Sequence, residues 1–230
     1  MKRSQSGFTL IEIAIVLVII GLLLGGVLKG QELINSAKVK NLATDFKNVP
    51  IYIYGYQDKY KALPGDDINV QTHLGATAAL ASTPGAVGNG IIDGMWNSQT
   101  ATDESFLFWQ HIRLAGFGAG QTTTTPLASY LPTNAVGGYI GVTNSLAANN
   151  PIPSPSAGSP SGLVGTYIVC SDNIPFKFAK QLDVSLDDGN TATGSLQVTK
   201  AGTASGGTVI PTTGAGSVSD DTPVLVCMGY

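Results

Sequence analysis

Few side chains in this 230-residue chain have the type and spacing to do chemistry. Glu12 stands alone as an acid inside an apolar run from Phe8 to Leu28. A carboxylate near the start of a membrane-length helix is costly unless it is paired, so it marks a functional position by default. Cys170 and Cys227 are the only two cysteines, and they either share a disulfide or remain two buried thiols. Asn89 and Asp93, in Asn89-Gly90-Ile91-Ile92-Asp93-Gly94, faintly match a calcium loop. Such loops need oxygen ligands at alternate positions, and Ile91 falls where one belongs; Asn-Gly and Asp-Gly turn chemistry explains the same residues without metal. Asp187 and Asp188, followed by Gly189 and preceded by Asp183, form a second cation candidate, with a solvated turn as the plainer reading. His73 and His111 have no partner in sequence, and a lone histidine is more often packed or solvent-facing than catalytic. There is no nucleophile elbow, metal-ligand cluster or P-loop, so neither enzyme activity nor a cofactor is expected, calcium being the one candidate ion.

The element that must carry Glu12 is the apolar run itself. Its 21 residues as a helix rise about 31 Å, enough to cross a hydrocarbon core of about 30 Å. A secretory signal peptide is one alternative, but its apolar core is shorter, holds no acid and is followed by a small-residue cleavage site. A plain single-pass anchor is the other. Lys2 and Arg3 on the short N-terminal flank keep that end cytoplasmic, which leaves the rest of the chain outside the inner membrane.

Lys2 and Arg3, then Gly7-Phe8-Thr9-Leu10-Ile11-Glu12, then the apolar run resemble the type IV prepilin signature shared by type IV pilins and the pseudopilins of type II secretion. The resemblance implies cleavage between Gly7 and Phe8 by a prepilin peptidase, and N-methylation of Phe8 by the same enzyme. It implies that Glu12, then the fifth residue, neutralises the N-terminal amine of a neighbouring subunit during filament assembly. It also implies an α+β pilin fold, in which one long N-terminal helix carries a globular head with a small antiparallel sheet and long loops. Pilins often close a C-terminal loop with a disulfide, which favours pairing Cys170 with Cys227. Closing a loop of that size stabilises the fold by about 4 kcal/mol on the chain-entropy model. Further along, Tyr60-Lys61-Ala62-Leu63-Pro64-Gly65-Asp66 resembles a subgroup of bacterial pilin-like proteins. In that subgroup a Gly-rich loop and a helix like Glu104–His111 follow, and both are present.

The organisation expected is therefore a cleaved leader over 1–7, a membrane or filament-core helix over 8–28, its amphipathic continuation over 29–62, and a periplasmic head over 63–230. Val39, Leu42, Phe46, Val49, Ile53, Tyr56 and Tyr60 recur at steps of three and four, one face of a helix. Pro50 removes a backbone donor and predicts a kink or short break. Gly21, Gly25, Gly26 and Gly30 have the small-xxx-small spacing of close helix packing, and equally make the helix easier to melt. Leu63-Pro64-Gly65 ends the helix near Ala62. In the head, residues 64–102 read as a long loop, and Asp103 caps a helix from Glu104 to about Ala115. Residues 118–162 are low-complexity, with a possible strand at 139–143 and extended Pro-rich chain over 149–155. GTYIVC over 165–170 is the clearest strand. A short helix over 174–186 with Pro175 in its first turn, a strand over 194–200, a mobile loop over 201–219 and a final strand over 222–228 complete the chain.

Function follows from the N-terminus. Charged residues make up only 12% of the chain at a net charge of −3, and removal of Lys2 and Arg3 takes this to −5. A mildly acidic surface offers nucleic acid no electrostatic attraction. The expectation is a structural subunit of a pilus or secretion pseudopilus. Its partners are the prepilin peptidase, other pilin subunits and an inner-membrane assembly platform. The bulky loops over 64–102 and 118–162 favour a minor or tip-associated component that contacts a substrate or surface. A membrane-anchored binding module that never polymerises is the alternative.

Overall fold

A computed structural model describes residues 10–230 except 83–84, 86 and 154–161. The expected extended stretch at Ser154 and Pro155 lies outside the described residues. The chain divides into two compact units, residues 1–40 and 41–230.

Helix α1 runs from Leu10 to Tyr60. Its apolar stripe is buried from Val39 through Leu42, Phe46, Val49, Ile53 and Tyr56, while Tyr60 is half-buried. The helix ends two residues before Ala62, where Lys61 takes a left-handed conformation (φ 56°) and its N–H bonds the Gln57 carbonyl. Pro50 does not interrupt α1. A proline leaves the carbonyl four residues earlier without its helical donor, here that of Phe46. The hydroxyl of the C-terminal Tyr230 donates to that carbonyl at 2.7 Å.

The head is built on one antiparallel sheet of strands β1 (Ile140–Thr143), β2 (Ile168–Pro175), β3 (Leu196–Lys200) and β4 (Pro223–Gly229), in the order β1-β2-β4-β3. The β2 strand begins three residues later than the GTYIVC run and extends beyond it, because β4 pairs with it as far as Pro175 opposite Pro223. A register irregularity between Ser171 and Ile174, with Asn173 at φ 57°, bends β2, as bulges do. The helix expected from Ile174 therefore starts later, at Phe176, and Pro175 precedes it rather than sitting in its first turn. Cys170 lies opposite Cys227 in the ladder, and the two are joined as a disulfide within an apolar cluster of Trp96, Ile152, Leu163, Ile168 and Leu225.

Four further helices are described: α2 (Val70–Leu74), α3 (Glu104–Leu114), α4 (Leu127–Tyr130) and α5 (Phe176–Leu186). The last packs on β2, β3 and β4, while α3 packs on β1 and α2. Asp103 precedes α3 in an extended conformation but makes no side-chain capping bond to it; its carboxylate accepts the Ser98 hydroxyl instead, at 2.6 Å. The short helices α2 and α4 interrupt stretches expected as loops. In α4, Tyr130 is buried and its hydroxyl is inserted into α3, accepting the Gln110 N–H (3.0 Å) and donating to the Phe106 carbonyl (2.7 Å). The loop over 201–219 is pinned at its middle. Val209 bridges to Thr199, and the Ile210 N–H bonds the Val198 carbonyl.

Candidate functional site

In the N-terminal unit every residue from Leu10 to Lys29 is exposed. Leu10 is 88% exposed and Leu22 73%. A continuous apolar surface of this length is not stable in water and calls for lipid or other helices as its surroundings. Glu12 lies in the first turn of this segment. A Cβ placed on Gly21, Gly25, Gly26 or Gly30 would meet nothing within 4 Å, so these positions are flat spots on a helical surface. Gly7 and Phe8 lie outside the described residues.

In the head, the Leu63-Pro64-Gly65-Asp66 turn and α3 are locked together. The Gly65 N–H donates to His111 Nδ1 at 2.9 Å, so Nε2 carries the proton and donates to the Ala79 carbonyl at 2.9 Å. Both ring nitrogens are occupied by backbone, and burial holds the imidazole below its ordinary pKa. His111 is thus a neutral structural bridge, not a base. Gly65 has φ 96°, and a Cβ there would lie 2.5 Å from the Glu104 carbonyl oxygen, so only glycine fits. Asp66 accepts the N–H groups of Gly88, Asn89 (3.2 Å) and Gly90 (2.7 Å), which folds the Gly-rich loop onto the same turn.

Glu104 opens α3 fully buried. Its Oε2 accepts the Asp93 N–H at 2.7 Å, while Oε1 has no hydrogen-bond partner among the described residues. Burial raises its carboxyl to about 8, against the lowering effect of the Asp93 N–H and with help from the Asp66 and Asp93 charges. At neutral pH Glu104 is therefore a protonated acid beside the Asp66 carboxylate.

Asp67 accepts the Tyr56 hydroxyl (2.7 Å) and pairs with His73 Nδ1 (2.6 Å), on the wall of an open cavity of about 670 Å³. The described lining of that cavity offers no serine, cysteine or threonine, and the Tyr60 ring in it stacks on that of His73. Sequence reasoning left both histidines without partners, because those partners are a side chain six residues away and two backbone groups.

The cation candidates part company. The Asn89 amide donates to Asp93 Oδ2 (2.9 Å) and the Asn144 amide to Asp93 Oδ1 (2.9 Å). Asn89 Oδ1 accepts the Ile91 N–H (3.0 Å), the pattern of an Asx turn. Asp183, Asp187 and Asp188, by contrast, each bring a carboxylate oxygen within 4.8 Å of the others.

Residues 2–28 match the family model of the prokaryotic N-terminal methylation motif. That motif is the one the chain's N-terminus shares with type IV pilins and pseudopilins, and the match spans this segment alone. The matched segment takes in Lys2, Arg3, Gly7, Phe8 and Glu12, and it overlaps the exposed apolar stretch of α1. The α+β architecture, a long apolar N-terminal helix followed by a four-stranded antiparallel sheet with a disulfide, is pilin-like. No curated protein and no solved structure matches the chain.

Proposed function

We propose that this chain is a structural filament subunit, made as a prepilin and assembled through its N-terminal helix into a type IV pilus or a type II secretion pseudopilus. The observation that carries the reading is the methylation motif at residues 2–28 heading a helix whose first 20 described residues are all exposed. In this reading the subunit waits in the inner membrane, with its N-terminus cytoplasmic and its head periplasmic. Prepilin peptidase cuts between Gly7 and Phe8 and methylates the Phe8 amine. An assembly platform then moves the helix from lipid into a bundle of neighbouring helices. That step exchanges one apolar environment for another, so packing and polar pairing, rather than the hydrophobic effect, choose the register. Glu12 and the Phe8 amine of a neighbour supply such a pair, since opposite charges in an apolar core are tolerated only together. The long loops of the head favour a minor or tip-associated position over a densely repeated one.

Co-expression of the full chain with a prepilin peptidase, followed by mass spectrometry of the membrane-extracted product, tests the first step. The expected product begins at Phe8 and carries one added methyl group. A product still beginning at Met1 in the presence of active peptidase overturns the proposal. Absence from sheared filaments of a correctly processed chain would favour a non-polymerising anchored module instead.

A further inference from the structure

We propose that a slot beside α1, with Asp45 in its wall, receives a lysine side chain of a partner polypeptide. Asn41, Asp45, Asn48 and Tyr52 follow one another at steps of four, three and four, a polar seam beside the buried stripe of α1. Asp45 is the one charge on that seam, and it is half-buried. Among the described residues none donates a hydrogen bond to its carboxylate and no cation pairs with it. A partly desolvated carboxylate in that position is disfavoured, and a cationic donor supplied from outside relieves it. Asp45 lines a cavity of about 140 Å³ whose other walls are mainly apolar, from Val49, Tyr52, Trp109, Ile112 and Ile140. Asn48 and Thr133 add an amide and a hydroxyl. A lysine meets both halves of this lining. Its four-carbon stem covers apolar surface while its ammonium donates to several acceptors at once, and the Tyr52 and Trp109 rings are surfaces of the kind that attract such a group.

The walls of the slot are held in place before anything binds, and all of them belong to the unit over 41–230. On α3 the Arg113 guanidinium turns to the backbone, with Nε donating to the Ala119 carbonyl (3.3 Å) and Nη1 to the carbonyls of Gln121 (2.9 Å) and Tyr130 (2.6 Å). It pins the loop that carries Ala119 and leaves Asp45 without an internal counter-charge. Opposite, Asn134 accepts the N–H groups of Val136 and Gly138 (both 2.9 Å) and donates to Ser171 Oγ and the Asp172 carbonyl (both 2.8 Å), which ties the 132–135 segment to β2. A site built this way loses little freedom when it is filled. A second cavity of about 320 Å³ shares Asp45 and Thr133 with the first and adds Asn41, Thr44 and Ala135. It offers the partner's main chain a place among amide and hydroxyl groups. Burial alone raises the Asp45 carboxyl to about 6; the other ionisable groups in the two described linings are Tyr52 and Arg113. Lysine keeps its proton up to about pH 10, so binding holds at neutral pH and is lost as the pH falls through about 6 and Asp45 takes up a proton.

The test is NMR of the full chain in detergent micelles, with isotope-labelled aspartate carboxyls, titrated with Nα-acetyl-lysine methylamide. The expected result is a shift of the Asp45 resonance that saturates at millimolar probe, and a lower Asp45 pKa in the bound state. The norleucine analogue keeps the stem and lacks the ammonium, and it is expected not to saturate. The free amine n-butylamine keeps the ammonium and lacks the main-chain amides, and it is expected to bind several-fold more weakly. Asp45→Asn is expected to weaken binding of the lysine probe by about fivefold or more. The norleucine comparison is made on the parent protein, so it decides the matter if the variant fails to fold. No saturable shift up to about 100 mM probe, equal binding of the norleucine analogue, or unchanged binding in Asp45→Asn overturns the site, and equal binding of n-butylamine overturns the polypeptide source.

Discussion

The hydroxyl of Tyr230, the last residue of the chain, donates at 2.7 Å to the carbonyl of Phe46, four residues before Pro50 in α1. The proline cannot donate to that carbonyl and the tyrosine replaces the missing donor. Tyr230 is held in turn by a reciprocal backbone pair, its N–H to the Tyr167 carbonyl (3.0 Å) and its carbonyl from the Thr166 N–H (2.5 Å), and its ring stacks on that of Tyr167. Burial raises the Tyr230 hydroxyl to about 12, which keeps it a donor across the physiological range.

Tyr230→Phe keeps the stacking and removes only the donor. The Phe46 carbonyl is then left without a partner, at a cost of about 1–3 kcal/mol. Pro50→Ala restores a main-chain N–H to the helix, so the tyrosine variant should cost less in that background. Urea unfolding of the two single variants and the double variant measures the coupling. Strictly additive effects would mean that the hydroxyl does not stand in for the missing helical donor.

Glu104 sets a second expectation, concerning pH. Its folded pKa, raised to about 8 from 4.5 chiefly by burial, means that the folded chain holds a proton which the unfolded chain has released. Stability therefore falls as pH rises from about 4.5 to 8 and levels off above that. Glu104→Gln stays neutral, and its amide can donate towards Asp66. It should flatten the profile and exceed the parent by about 1–3 kcal/mol at pH 9, while matching it near pH 4. Asp183, raised in the same direction, leaves a residual slope in both proteins. Unfolding measured across pH 4–9 checks this, and parallel profiles for the two proteins would rule out a titrating Glu104.

The disulfide closes a separation of 57 residues between β2 and β4. On the chain-entropy model, removing it costs about 4 kcal/mol. Reduction, or the double variant Cys170→Ala/Cys227→Ala, should lower the unfolding free energy by that much without moving the strands, because the ladder pairs residues on both sides of the bridge, from Ile168–Gly229 to Ile174–Val224. Denaturant melts with and without reductant measure the difference, and a loss below about 1 kcal/mol would show that the reduced chain retains the ladder's constraint when unfolded.

What was legible in sequence was local or periodic. The buried stripe of α1 shows because a 3.6-residue period survives in any context that buries one face. The strands β2 and β4 show because β-branched runs fit a pleated, buried surface. Pairings between distant positions do not show. Pro50 reads as a breaker because the donor that serves the Phe46 carbonyl in its place lies 184 residues beyond Phe46. His111 reads as solitary because its partners, the Gly65 N–H and the Ala79 carbonyl, are backbone atoms. Asp66 reads as part of a helix stop, yet its carboxylate gathers the 88–90 loop through three amides that any residue could supply. The three aspartates of the α5–β3 turn are visible as a cluster, but that Asp183 is buried is a fact of packing alone.

The N-terminal proposal makes a separable pair of predictions. Glu12→Val leaves the apolar length of the helix unchanged and lowers the cost of inserting it, so membrane fractionation should find the variant where the parent is. Processing at Gly7-Phe8 should also continue, since the junction itself is untouched. Incorporation into filaments should fall steeply, because a neighbour's Phe8 amine then enters an apolar bundle without a counter-charge. Replacing Gly7 acts one step earlier and should leave unprocessed chain in the membrane. Comparing membrane, processed and filament fractions for both variants distinguishes the two steps. Normal incorporation of Glu12→Val would remove the pairing role while leaving the cleavage site standing, and mature product from a Gly7 variant would do the reverse.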